Sequence, residues 1–185
     1  MAGIVFAKFT KPTGRAETIM FSKNALITLR NGAFYLVVRL ADLRPTHLIE
    51  CHVSGHFSNM ETTKEGEEIP YHLASMSFGS NIDGTTDYIQ PFWPIIVTHK
   101  IDEASPLYQM APRDFQSKQF EIIITLEGVT PETGNSVQVR TSYLPSEILW
   151  GQRFEHSTVV YDKEMSKYAV SYGTINNFLQ DRTPR

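Results

Sequence analysis

The chain has 185 residues, 41% of them hydrophobic and 20% charged, which suits one globular domain with a proper core. Seventeen basic and twenty acidic residues leave a formal charge of -3, which excludes the basic excess of a nucleic-acid binder. One cysteine, Cys51, excludes an internal disulfide framework, and no run of about 20 apolar residues is present to span a bilayer.

Gly3–Phe9 is apolar with no evident partner, and Lys8, Lys11 and Arg15 follow closely. Such a cluster is either a solvated, flexible terminus or a juxtamembrane contact with anionic headgroups. No signal-peptide pattern is present. Ala25–Arg30 and Ala33–Leu40 read as strands flanking Asn31-Gly32, whose residues tolerate the positive φ of a type I′ hairpin turn. His47–Phe57 alternates, with Ile49, Cys51 and Val53 on one face and Leu48, Glu50 and His52 on the other. Tyr88–Ile101 contains two prolines, which predicts an edge or irregular strand. Phe120–Leu126 reads as a strand buried on both faces, and Ser136–Leu144 alternates again. Thr158–Tyr161 and Lys167–Tyr172 are expected to pair across a polar turn. Turn formers cluster at Asn59–Glu68, Gly79–Thr86 and Thr130–Asn135, and short helical turns are expected at Ser105–Met110 and Arg113–Ser117. The spacing of short strands predicts an all-β sandwich or barrel with one or two short helical turns.

Catalysis finds no support. No nucleophile elbow, phosphate loop, dinucleotide fingerprint or zinc-ligand spacing occurs among the six histidines and one cysteine. His52 and His56 stand four apart in a strand, about 13 Å from one another at the usual rise. Cys51 reads as a small core or interface residue rather than a nucleophile. The chain is therefore not expected to be an enzyme, and no catalytic or metal-binding residues are assigned.

Three stretches carry a resemblance. They are RAETIMFSKNA (Arg15–Ala25), IDEASPLY (Ile101–Tyr108) and RTSYLPSEILWG (Arg140–Gly151). In order and spacing they resemble the cytoplasmic carboxy-terminal domain of the inward-rectifier potassium channel family. The resemblance implies a membrane-proximal linker over 1–15 and an immunoglobulin-like domain over 16–178, and the polar end reads as a frayed tail over 179–185. It implies a homotetramer at the cytoplasmic face of the plasma membrane. The full-length channel would carry membrane helices, the fragment itself would be soluble, and an accessory subunit is left open. A binding or adaptor sandwich with no channel role is the alternative that the strand pattern alone equally permits.

The resemblance also implies roles for single residues. Glu50, Glu127, Asp83 and Asp87 fall where acids line the cytoplasmic pore, drawing in the permeant potassium ion and the blockers magnesium and polyamines. Read without it, Glu50 is a polar strand position facing water and Glu127 marks a strand's exit. Gly128, Val129, Gly134 and Asn135 match a constriction loop, with polar Asn135 where an apolar residue is usual. Pro131 replaces an acid that often pairs with Arg140, and Glu132 is the nearest substitute. Lys8, Lys11, Arg15 and Arg44 match contacts to phosphatidylinositol bisphosphate as activating lipid, while Thr13 and Gly14 stand where basic residues are common. Asp42 and His47 resemble a sodium-sensing loop of the G-protein-gated branch. Glu17, Lys23 and Arg39 match a nucleotide site of the ATP-sensitive branch, although Asn176 replaces its glycine. No protein-bound cofactor and no nucleic-acid partner are implied.

Overall fold

The computed structural model describes residues 18–156, 159–164 and 166–180. After a short first strand, β1 (Ile19–Phe21), the chain forms the hairpin of β2 (Ala25–Arg30) and β3 (Ala33–Asp42). Asn31 and Gly32 take φ values of 48° and 78° at its turn, as a type I′ turn requires. The next strand, β4 (Ile49–Thr62), is the longest in the molecule's described part and pairs with β5 (Glu68–Met76). Then come β6 (Tyr88–Ile89), β7 (Ile95–Ile101), the one-turn helix α1 (Asp114–Ser117), β8 (Phe120–Val129) and β9 (Ser136–Tyr143). Short strands complete the chain: β10 (Ile148–Trp150), β11 (Gln152–Phe154), β12 (Val159–Asp162), β13 (Lys167–Val170) and β14 (Phe178–Gln180).

Two five-stranded sheets form a sandwich of the immunoglobulin-like kind. One sheet orders β1, β3, β2 and β10, with β7 also on β3; the other orders β5, β4, β8 and β9, with β6 also on β4. Ile27, Leu36, Val38 and Leu40 from the first face Cys51, Val53, Phe57, Ile122, Ile124 and Leu126 from the second, in one buried cluster. Removing a side chain such as Leu126 from this layer is expected to cost about 2–5 kcal/mol. Tyr143 ties the sheets together, its phenol donating to the Ser22 carbonyl at 2.7 Å from a buried position. Burial lifts that phenol's pKa above its usual value.

Several expectations meet the structure closely. Phe120–Leu126 lies within β8 and is mostly buried on both faces. The proline-bearing stretch Tyr88–Ile101 splits into β6 and β7, each at the margin of its sheet. Strands β12 and β13 pair as expected.

Three details differ. The alternation in His47–Phe57 breaks at its start: Glu50 has φ 51°, the register with β8 shifts between Ile49 and His52, and this bulge reverses the parity. Ile49 is therefore exposed and Leu48 buried, the opposite of a regular strand. The turn around Asn59–Glu68 is shorter than its composition suggests, because β4 runs on to Thr62 and β5 begins at Glu68. Strand β5 contains Pro70, which an edge strand tolerates beside the irregularity between Asn59 and Glu61. At the far end, β14 pairs with β11 through Gln180, so ordered pairing continues past residue 178.

Candidate functional site

The outer face of the second sheet gathers two of the four candidate pore acids, Glu127 and Asp87, and a third, Glu50, is exposed in the adjoining bulge. Antiparallel register places Tyr88, His52, Glu127 and Gln138 directly opposite one another across β6, β4, β8 and β9. Opposed residues point to the same side of a sheet, so these four side chains form one exposed row. His52 Nδ1 lies 3.1 Å from Asp87 Oδ2, which adds a second carboxylate to the row. The bulge carries Glu50, also exposed, two positions before His52 on the same strand. Asp83 is exposed but sits in a different setting. Its loop is anchored on β7 through Gly79 and Thr98, with no room for a side chain at Gly84 beneath the Thr98 carbonyl.

A hydrogen-bond relay holds Glu127. Gln138 Nε2 donates to Glu127 Oε1 at 2.5 Å, and Arg140 Nη2 donates to Gln138 Oε1. One step along the strands, Arg140 stands opposite Thr125 and Ser54. Arg140 thus engages Gln138, an amide that the sequence reading missed. Its signal was the hairpin register, which sets Gln138 opposite Glu127 once the turn over 130–135 is fixed.

The candidate constriction loop is the β8–β9 hairpin. Thr130 N–H donates to the Asn135 carbonyl at 2.9 Å, and Gly134 N–H to the Thr130 carbonyl at 2.8 Å. Gly134 takes φ 68° in open space, and Asn135 is exposed beside it. Val129 is half-buried and pairs with Ile49. Gly128 lies below the loop within β8, where a Cβ would meet Cys51 Sγ at 2.8 Å.

Asp42 organises the loop after β3. It is fully buried; Oδ1 accepts the Arg44 N–H at 3.2 Å and Oδ2 the Leu48 N–H at 3.1 Å. His47 Nδ1 lies 3.9 Å from Oδ2. The carboxylate therefore shapes this loop, with the imidazole lying beside it, while Arg44 itself is exposed.

Arg39 is a buried clip, 1% exposed. Its Nη1 donates to the Thr174 carbonyl at 2.9 Å, its Nη2 donates to the Glu155 carbonyl, and its guanidinium lies 4.6 Å from the Phe154 ring centroid. Burial lowers its pKa from the ordinary value, against the opposing pull of Glu155. Lys23 is exposed and touches the other end of the same region, its N–H donating to Asn176 Oδ1 at 2.8 Å. A cleft of about 690 Å³ opens nearby, lined by Arg30, Arg39, Trp93, Arg153 and His156 among others. Lys8, Lys11, Arg15 and Glu17 lie outside the described residues.

Comparison with known proteins adds the context that geometry alone lacks. A family model for the inward rectifier potassium channel C-terminal domain matches residues 19–185. The whole chain is similar to inward rectifier potassium channel irk-1 of Caenorhabditis elegans, at 44% identity and covering 34% of that protein. It is 36% identical over its whole length to G protein-activated inward rectifier potassium channel 4 of Mus musculus, covering 43% of it. Over 93% of the chain it is 42% identical to inward rectifier potassium channel 4 of Homo sapiens, covering 38% of it. The chain thus spans less than half the length of these relatives.

Proposed function

The chain belongs to the inward rectifier potassium channel C-terminal domain family, and from that premise we propose that it lines and gates the cytoplasmic pore of such a channel. The relatives are potassium channels, not enzymes. Among the described residues no helix is long and apolar enough to cross a membrane, so in this reading other segments of the channel supply the pore within the bilayer.

The observation that carries the reading is the exposed row holding Glu127 and the His52–Asp87 pair, with Glu50 beside it. In a homotetramer each carboxylate recurs around the axis. Rings of like charge in a confined, water-filled passage raise the local cation concentration and attract multivalent blockers. Polyamines or magnesium drawn in from the cytoplasmic side then obstruct outward potassium flow more than inward flow. The Arg140–Gln138 relay holds Glu127 in place on the face where that field is needed.

Gating in this reading couples the membrane to the β8–β9 hairpin. Arg44, together with Lys8, Lys11 and Arg15, supplies the cations for phosphatidylinositol bisphosphate, at about 1 kcal/mol each near an anionic surface. Val129, Gly134 and Asn135 form the constriction that lipid binding opens, with Gly128 packed at its base within β8. Reconstitution of the full-length channel tests both parts: potassium current is expected to need the phosphoinositide and to show voltage-dependent block by internal spermine. Current that ignores both would overturn the proposal.

A further inference from the structure

At the end of the sandwich where β3 finishes and β7 begins, three large apolar side chains face outward. Leu43, Phe92 and Trp93 are 40%, 44% and 55% exposed. Phe92 and Trp93 are in ring contact, and Leu43 follows by register. Leu40 pairs with Ile95, so the antiparallel run carried past that pair brings the residues after β3 alongside Phe92 and Trp93. The His47 ring meets Phe92 edge-on at 5.7 Å, and Phe92 lies 6.1 Å from Trp93. The two loops therefore form one edge, with the exposed Arg44 on it.

The start of the described chain reaches the same place. Leu43 N–H donates to the Thr18 carbonyl at 2.9 Å, and Ile19 pairs with Asp42. Residues 1–17 precede Thr18 in sequence and contain Ile4–Ala7, Lys8, Lys11 and Arg15. An aromatic edge beside cations matches the headgroup zone of a bilayer, where a Trp ring finds apolar and polar surroundings together. A second copy of the chain fits less well. Three side chains of this size, each about half exposed, offer roughly 300 Å², against the ~800 Å² per partner of a stable interface.

We propose that Leu43, Phe92 and Trp93 form a seating edge that enters the interfacial zone of a lipid bilayer beside Arg44. The inference rests on the reading of the chain as a membrane-apposed channel domain, and it assigns part of the contact to apolar side chains rather than to basic ones. Its failure is separable from failure of that reading, because it is measured on vesicles without any current.

The test mixes the chain with phosphatidylcholine vesicles, with and without phosphatidylserine, whose acyl chains carry bromine. Of the two tryptophans, Trp93 and Trp150, the half-buried Trp150 packs on Phe34 and Phe115. Bromine is expected to quench fluorescence in the unsubstituted chain, and Trp93→Phe is expected to remove the quenched component while vesicles still sediment the chain. Joint Phe92→Ala and Trp93→Ala substitution is expected to lower vesicle partitioning at least about tenfold. Absence of quenching overturns the proposal. So does partitioning that survives the double substitution and falls only when Lys8, Lys11 and Arg15 are neutralised, or a double substitution that abolishes crosslinked oligomers and leaves partitioning intact.

Discussion

His52 Nδ1 stands 3.1 Å from Asp87 Oδ2, while His52 also faces Glu127 directly across the β4–β8 pairing. The side chains of the His52–Asp87 pair are 53% and 65% exposed, so water screens their attraction. The pair sets the charge pattern of the outer face and adds little to stability. His52→Gln is expected to change the unfolding free energy by no more than about 0.5 kcal/mol in urea titration. A loss above about 2 kcal/mol would show that the contact is structural.

Glu50 offers a separable effect of backbone and charge. It holds φ 51° in a β-bulge, a conformation that costs a residue with a side chain about 1 kcal/mol. Glu50→Gly is expected to raise the denaturation midpoint, and Glu50→Gln to leave it unchanged. Both remove the carboxylate, so any shared change in cation affinity reports charge alone.

Gly128 is required by packing rather than by φ. A Cβ there would meet Cys51 Sγ at 2.8 Å and Leu48 Cβ at 3.3 Å. Gly128→Ala is expected to cost about 1–3 kcal/mol by overpacking. Adding Cys51→Ala should recover part of that loss, because the two sites are in contact and their effects are not additive. Equal instability in the single and double variants would contradict this account.

His99 gives the fold an acid limit. Its ring nitrogens lie 2.8 Å from the Ser77 carbonyl and from Ser105 Oγ, in a buried site. Burial lowers its pKa, partly opposed by the Ser77 contact and by Asp102. The unfolded chain therefore binds the proton more readily. This contribution is complete above the ordinary imidazole value of about 6.5 and is lost as pH falls from there through the lower folded value. Urea midpoints at about pH 7.5 and about pH 5.5 should show the fall, and His99→Gln should flatten that part of the slope.

The sequence carried the local features because local chemistry decides them. Asn31-Gly32 announces its hairpin, and the apolar centre of Phe120–Leu126 announces a strand covered on both sides. Glu127 and Asp87 came together around His52, although only the resemblance placed them in a pore. The misses arise where tertiary context overrides pattern. Pro70 argues against a strand until β5 proves to be an edge, and the bulge at Glu50 turns Leu48 inward against the alternation. Gln138 was overlooked because its role depends on cross-strand register, not on its own neighbours in sequence. Arg39 was matched to a nucleotide site by resemblance, and nothing beside it in sequence announces that its guanidinium is held by carbonyls more than a hundred residues away.

The central claim is that the face bearing Glu50, Asp87 and Glu127 lines a cation pathway. Its most direct measurement is internal spermine block in the full-length channel, comparing the unsubstituted protein with Glu127→Gln, Glu50→Gln and both together. The account predicts weaker block and shallower voltage dependence for each single variant, and the largest loss for the pair, with potassium current retained. Spermine affinity and voltage dependence that stay unchanged in the double variant would contradict it.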